Sequence, residues 1–234
     1  MKFAVYITTY QKPDGKSIPL IMRALKSIEG QTYKNYSLYV VCDAYTDNDQ
    51  IEQIKAKVKS MNGYFFNVKE SYGLVHYKND LKKRWSTGGL NATTHAIEKI
   101  LASGLEWVCK LDHDDIWKPN HLQVMYERLS VAKNDVVFVV SRGKLNNRVL
   151  PIENYAIDDY HLKHAGFFHS NTCINFSKIS LRYEDPFKRG INLPGDAWLW
   201  TRIQRYLKSN SLRAVYVPII TLIRDGEGSI LHEK

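Results

Sequence analysis

The chain has 234 residues, 44% of them hydrophobic and 12% aromatic, which supports a large buried core and is the composition of a globular protein, not a disordered one. Lysine and arginine number 33 against 24 acidic residues, and the resulting +9 suits an anionic partner: a nucleotide, a phospholipid surface or nucleic acid. The basic residues are dispersed, with Lys82-Lys83-Arg84 the one tight cluster, so a nucleic-acid groove is disfavoured.

Cys42, Cys109 and Cys173 each sit in or beside an apolar run, with no CxxC spacing. That pattern speaks against zinc and a disulfide framework and for small core thiols in a reduced compartment. The apolar start at residues 3–7 is too short for a signal peptide, and no run approaches the length of a transmembrane segment. A cytoplasmic protein is expected, with peripheral contact at a membrane surface left open.

Residues 3–7 read as a buried strand, followed by a loop through Pro13-Asp14-Gly15. A helix is expected over 19–29, where Ile21, Ala24, Leu25 and Ile28 cover one face. Strand 36–41, helix 50–59 and strand 64–68 follow, then a polar loop that includes 82–89 and a helix over 93–101. The run 107–111 is a strand, Pro119 is placed to open a helix over 121–129, and 136–141 is another strand. This alternation predicts a mostly parallel, doubly wound sheet. Beyond Val149 the pattern loosens: helix 197–207 and strand 214–217 are legible, the stretch 155–171 is not. With no repeat and no low-complexity linker, a single domain with a less regular last third is expected.

Polar residues gather where strands end. Thr8-Thr9-Tyr10 follow the first strand, Asp43 the second, and Asp112-His113-Asp114-Asp115 the strand at 107–111. The carboxyl ends of strands are where open α/β sheets bind ligands. Crowded carboxylates are costly unless a cation holds them, and oxygen-only ligands favour Mg²⁺ or Mn²⁺, often shared with substrate phosphates. Asp114 and Asp115 equally suit the positive end of the following helix. Asp43 suits either hydrogen bonds from a uracil or ribose or the capping of a turn. Neither a Walker lysine loop nor GxGxxG follows the first strand, which argues against P-loop and dinucleotide-binding folds.

These segments, in this order, resemble a known family. Ile7-Thr8-Thr9-Tyr10, the stretch from Ala24-Leu25-Lys26-Ser27 to Gly30-Gln31-Thr32-Tyr33, and Val40-Val41-Cys42-Asp43 with Thr46-Asp47-Asn48 look like the opening of family 2 glycosyltransferases. Leu111-Asp112-His113-Asp114-Asp115-Ile116-Trp117-Lys118-Pro119, then His121-Leu122, resembles that family's DXD region. Gly195-Asp196-Ala197-Trp198-Leu199-Trp200 with Arg202 resembles its late acidic motif, and Ile223-Arg224 with Gly228-Ser229 its C-terminal loop.

The resemblance implies an α/β GT-A fold: a Rossmann-like, mostly parallel sheet flanked by helices, with a less regular C-terminal acceptor region. Residues 1–118 would form the nucleotide-sugar half and 119–234 the acceptor half. It further implies a metal-dependent, inverting hexosyltransferase that uses a nucleotide-sugar donor, most readily a UDP-sugar, with Mn²⁺ or Mg²⁺. The acceptor would be a hydroxyl of a glycan, lipid-linked or protein-linked. Carried over by position, Thr8, Thr9, Tyr10 and Asp43 hold the nucleoside, and Asp112 faces ribose and metal. His113 belongs with the donor-binding residues, Asp114 binds the metal, and Asp115 supports that shell by hydrogen bonding. Arg84 is a candidate for base or phosphate contact, with a solvated basic cluster as the alternative. Asp196 is the catalytic base, with the N-cap of the 197–207 helix as a second use for the same residue.

Some positions depart from the family pattern. Ala44-Tyr45 replaces Gly-Ser, and Tyr45 is expected to reshape the nucleoside rim or stack there. Thr93-Thr94-His95 replaces Ala-Arg-Asn. Asp225-Gly226-Glu227-Gly228 stands where a histidine is common, so a third protein ligand to the metal is missing or replaced by water. Trp198, Trp200, Phe167 and Phe168 suit either sugar platforms or core, and His161, His164 and His169 suit a site or a structural role. Two other readings stand: a non-catalytic nucleotide- or glycan-binding member, and a nucleic-acid-binding protein. Asp112, Asp114 and Asp196 all being present argues against the first.

Overall fold

A computed structural model of the chain describes residues 1–12, 14–151 and 166–224. The first half alternates β1 (Phe3–Tyr10), α1 (Ser17–Glu29), β2 (Tyr36–Asp43), α2 (Asn48–Ser60) and β3 (Tyr64–Val68). β1 is buried along almost its whole length, the near-continuous apolar reading of a parallel strand covered on both faces. Its alternate residues serve two layers. Phe3, Val5 and Ile7 pack with Ile21, Leu25 and Ile28 of α1 and Ile54 and Val58 of α2. Ala4 and Tyr6 pack on the other side, against Ala96, Ile97 and Ile100 of α5 (Leu90–Ala102) and Leu199 and Ile203 of α7 (Gly195–Ser209).

Local caps explain where the boundaries differ from the sequence expectation. Asp47 accepts a hydrogen bond from Gln50 N at 3.1 Å, which starts α2 at Asn48. The predicted polar loop holds two short helices, α3 (Tyr72–His76) and α4 (Leu81–Ser86); Asp80 caps α4 by accepting from Lys83 N at 3.0 Å. Helices this short carry no readable apolar period. Pro119 stands outside α6 (His121–Ser130), before the N-cap residue Asn120, and its carbonyl accepts from Thr32 N at 2.8 Å.

The remaining strands are β4 (Trp107–Asp112), β5 (Asp115–Trp117), β6 (Val136–Leu145), β7 (Arg148–Leu150), β8 (Thr172–Asn175) and β9 (Arg213–Arg224). The sheet runs β3-β2-β1-β4-β8-β6-β9-β5, with β7 on β6. The ladders β3–β2–β1–β4 and β6–β9 are parallel and carry most of the paired residues, so the predicted mostly parallel α/β sheet is found. β8 enters antiparallel between β4 and β6, and β5 pairs antiparallel with β9. β9 is much longer than the predicted 214–217, because Pro218 and the exposed Ile219 interrupt its apolar pattern where its register on β6 shifts. Pro13, Tyr155, His161, His164, Asp225, Gly226, Glu227, Gly228 and Ser229 lie outside the described residues.

Candidate active site

Parallel register gathers the sequence-predicted residues. Thr8 pairs with Asp112 and Tyr10 with Asp43, so β1, β2 and β4 end together and Thr8, Thr9, Tyr10, Asp43 and Asp112 share one edge. Asp43 is buried; its Oδ2 accepts from Ser71 Oγ at 2.8 Å and from Gly89 N at 3.3 Å. These partners come from distant segments, so Asp43 is not a cap of its own turn. Its Oδ1 is buried with no hydrogen-bond partner. Burial pushes the Asp43 carboxyl up, and the bonds from Ser71 and Gly89 hold it down. Gly89 has φ +71, a left-handed conformation glycine adopts without strain, and an added Cβ there would lie 3.8 Å from Thr8 Oγ1.

Tyr45 is not a stacking platform. It is buried, its hydroxyl lies 2.8 Å from Thr9 Oγ1 and donates to the Tyr10 carbonyl at 3.0 Å, and so it braces the end of β1 from inside. Tyr10 in turn sets its ring edge-to-face against His113, at 5.0 Å between centroids. His113 is buried with Nε2 unpartnered, and burial lowers its pKa despite the neighbouring Asp114 and Asp112. His95, by contrast, packs edge-on against Phe66 of β3 at 5.0 Å.

The three carboxylates of the acid knot have separate environments. Asp115 has no exposed surface; its Oδ2 accepts from Ser170 Oγ at 2.5 Å and its Oδ1 lies 3.6 Å from Arg224 Nε, the residue paired with it across β5 and β9. Burial pushes Asp115 well above the carboxylate range, with Arg224 opposing. Ser170 Oγ also accepts from Asp112 N at 3.0 Å, and its carbonyl accepts from Trp117 Nε1 at 2.6 Å, so one serine ties both arms of the knot together. Asp114 is buried to 7% exposure, its backbone carbonyl accepts from Arg23 Nη2 at 3.0 Å, and its carboxylate has no donor among the described residues. Asp112 Oδ1 lies 3.0 Å from Lys110 Nζ. Burial opposes its charge, but Lys110, His169 and Arg224 win and hold Asp112 well below the usual range.

Lys110 and Ser170 were missed by the sequence reading. A lysine inside the apolar strand Trp107-Val108-Cys109-Lys110-Leu111 was the available signal for the first. Nothing local marks Ser170, which acts only through long-range contacts.

Asp196 lies within electrostatic reach of the acid knot, since Lys110, Asp112 and Arg224 all act on its charge. α7 begins at Gly195 with Pro194 at the N-cap, so the expected N-cap role of Asp196 is corrected: it sits inside the first turn, accepting from Ala197 N at 2.7 Å. Burial pushes its pKa up. Gly195 lies close to the Ser86 carbonyl, 3.2 Å from the position of an added Cβ, which seats α7 against α4. Arg84 is on α4 and makes no ion pair among the described residues.

The aromatic candidates divide. Trp200, Phe167 and Phe168 are core residues, with Trp200 edge-to-face on Phe138 at 5.7 Å. Trp198 stays half-buried, its Nε1 donating to Glu184 Oε1 at 2.8 Å. His169 is buried between Tyr183 and Trp200, with its Nδ1 3.1 Å from Lys110 Nζ. The three cysteines are free and buried, as expected for core thiols. Among the described residues, no group of three or more His, Cys, Asp or Glu side chains is arranged to hold a metal ion, and no helix is long and apolar enough to cross a membrane.

Residues 4–189 match the profile of Glycosyl transferase family 2. The chain belongs to that family. This family 2 glycosyltransferase is 25% identical over 241 residues to the Uncharacterized glycosyltransferase R139 of Acanthamoeba polyphaga mimivirus, covering 98% of this chain and 96% of that one. Its fold is similar to that of S. aureus TarS 1-349 in complex with UDP-GlcNAc, with a TM-score of 0.69 at 17% identity over 98% of this chain. The transferase spans 60% of that TarS structure. It is also similar to the mannosyltransferase PcManGT of Pyrobaculum calidifontis in complex with GDP-Man and Mn²⁺, with a TM-score of 0.62 at 15% identity, covering 99% of this chain and 59% of that one.

His121, part of the motif that suggested the family, is a core residue of the transferase. It stacks on Trp117 at 4.0 Å and its Nδ1 lies 2.7 Å from Thr221 Oγ1, joining α6 to β9. Burial holds its pKa down at about 3, whereas the unfolded chain titrates near ~6.5. Below that unfolded value the unfolded state takes up a proton that the fold refuses, so stability falls as pH drops, by about 1.4 kcal/mol per pH unit. Thermal unfolding of wild type and His121→Gln between about pH 7 and pH 5 checks this, since the variant loses that share of the slope. Equal slopes in the two proteins would refute it.

Proposed function

We propose that this family 2 glycosyltransferase is metal-dependent and inverting. It would move a sugar from a nucleoside-diphosphate donor, preferentially a UDP-sugar, to a hydroxyl of a glycan, lipid-linked or protein-linked acceptor. The observation that carries the reading is the register placing Asp43, with its buried unpartnered Oδ1, and Asp112 on either side of the end of β1, at one edge of the sheet. A buried acceptor without a donor is costly, and the N3–H of a uracil would supply what Asp43 Oδ1 lacks. Thr8, Thr9, Tyr10 and His113 would line the remainder of the nucleoside site, with Arg84 within the donor half at residues 1–118. Residues 119–234 would contribute the acceptor side, with Asp196 in the first turn of α7.

The residues present fit a divalent cation. Asp114 offers a carboxylate that no donor among the described residues uses, and Asp112 meets Lys110 through Oδ1. Two carboxylates completed by phosphate oxygens and water suit Mg²⁺ or Mn²⁺, hard ions that bind through few protein ligands. When bound, the ion would supply neutralisation of the charge that develops on the leaving diphosphate.

The other steps belong to side chains of this chain. Asp43 and the end of β1 orient the nucleoside, which fixes where the anomeric carbon lies. Asp196, whose carboxyl burial makes more basic, accepts the acceptor hydroxyl's proton as that oxygen bonds to the anomeric carbon and the bond to diphosphate breaks. A single displacement with one base inverts the anomeric configuration. Ser170, Arg224 and Asp115 act beneath, holding the acid knot in shape.

A thermal-shift panel of UDP-, GDP- and dTDP-sugars with and without Mn²⁺ tests the reading. A UDP-sugar at about a hundred times its Kd should raise Tm by about 5–10 °C, and more with Mn²⁺ than without. No shift with any nucleotide would refute it. A shift without transfer to a broad acceptor panel would favour the non-catalytic binding module.

A further inference from the structure

We propose that Lys110 is a built-in counter-cation that sets how tightly the acid knot holds its divalent ion, acting through Asp112 as a positioning residue. This part exists only if Asp112 and Asp114 bind a cation as proposed above. β4 is an interior strand between β1 and β8, and the Lys110 side chain is only 12% exposed. A lysine is rarely retained in such a place without a partner. Strand periodicity puts residues two apart on one face, so Lys110 and Asp112 point the same way and meet at 3.0 Å. The ammonium also lies 3.1 Å from His169 Nδ1, and His169 is fixed in turn by Tyr183, whose hydroxyl bonds to its Nε2.

Charge accounting around the crevice gives the physical reason. Arg224 stands on Asp115 and Lys110 on Asp112, while Asp114 and Asp196 make no ion pair among the described residues. Carboxylates with no ion-pair partner suit a divalent ion. Without Lys110 a further full negative charge would face the ion, at the oxygen Lys110 now occupies. The native arrangement therefore weakens the hold on the metal and on the metal-bound nucleoside diphosphate, and weak holding favours product departure.

The test is Mn²⁺ binding to the full chain in the presence of UDP, read by EPR of free Mn²⁺, for wild type, Lys110→Met, Lys110→Arg and Lys110→Met/Asp112→Asn. Lys110→Met should tighten Mn²⁺ binding about tenfold or more, Lys110→Arg should stay near wild type, and the double variant should lose the gain. In turnover, Lys110→Met should lower kcat and donor KM together, as slow product release does. A merely structural lysine would instead give weaker Mn²⁺ binding and an unchanged ratio of the two constants. Unchanged or weaker binding in Lys110→Met overturns the proposal. Absence of Mn²⁺ binding in wild type and variants alike overturns the cation reading of the knot along with it. Lys110→Gln, which keeps a donor toward Asp112 without the charge, replaces the Met variant if that variant lacks a cooperative thermal transition.

Discussion

Asp196→Asn is expected to lower kcat by about 10²–10⁴-fold while leaving the donor-induced rise in Tm in place. The amide keeps the volume and the hydrogen bond to Ala197 N but cannot take up a proton. In the wild type, burial raises the Asp196 pKa, so the protonated, inactive form persists to higher pH than it would for an exposed aspartate. The rate should therefore rise with pH through that raised value, and this limb should vanish in the Asn variant. Steady-state kinetics across pH, paired with thermal shift, separates the roles. An Asn variant with near wild-type kcat would remove Asp196 as the base. One that loses donor binding as well would make it a structural residue of the crevice.

Asp114→Ala should abolish the part of the donor-induced thermal shift that depends on Mn²⁺, and with it most turnover. The shift due to the nucleoside alone should stay, because Asp43 and β1 are untouched. The fold should also be nearly unaffected: the Asp114 carboxylate bonds to no described residue, and the backbone carbonyl that receives Arg23 is retained. Asp115→Ala makes an informative contrast, since it would leave Arg224 and Ser170 without their buried partner and should cost about 3–5 kcal/mol of stability. A Mn²⁺-dependent shift that survives in Asp114→Ala would sink the ligand assignment.

The site was legible in the sequence to the extent that it lies at the ends of regular strands. Apolar runs at 3–7, 36–41 and 107–111 identified three strands, and parallel strands that start and stop in register bring their next residues together. Asp43, Asp112 and Asp114 could be read for that reason. The segments between were harder. α3 and α4 rest on caps and on contacts such as that of Gly73 with the Arg84 backbone, not on an apolar period. Tyr45 looked like a rim residue because a loop tyrosine after a strand is ordinarily exposed, and only the bond with Thr9 shows it inside.

The alternation of strands and helices, family membership and the choice of acidic residues follow from local pattern: periodicity, turn chemistry and ordered motifs in a chain whose residues 4–189 match the family. What each carboxylate does was decided by contacts across the chain. Ser170 and Arg224 reach Asp115 over spans of 55 and 109 residues and bury it, while Asp114, its neighbour, is left open. Lys110 meets Asp112 two residues away, yet His169, 59 residues on, fixes its other side. Desolvation and charge pairing depend on everything packed around a group, and sequence order specifies only its nearest neighbours.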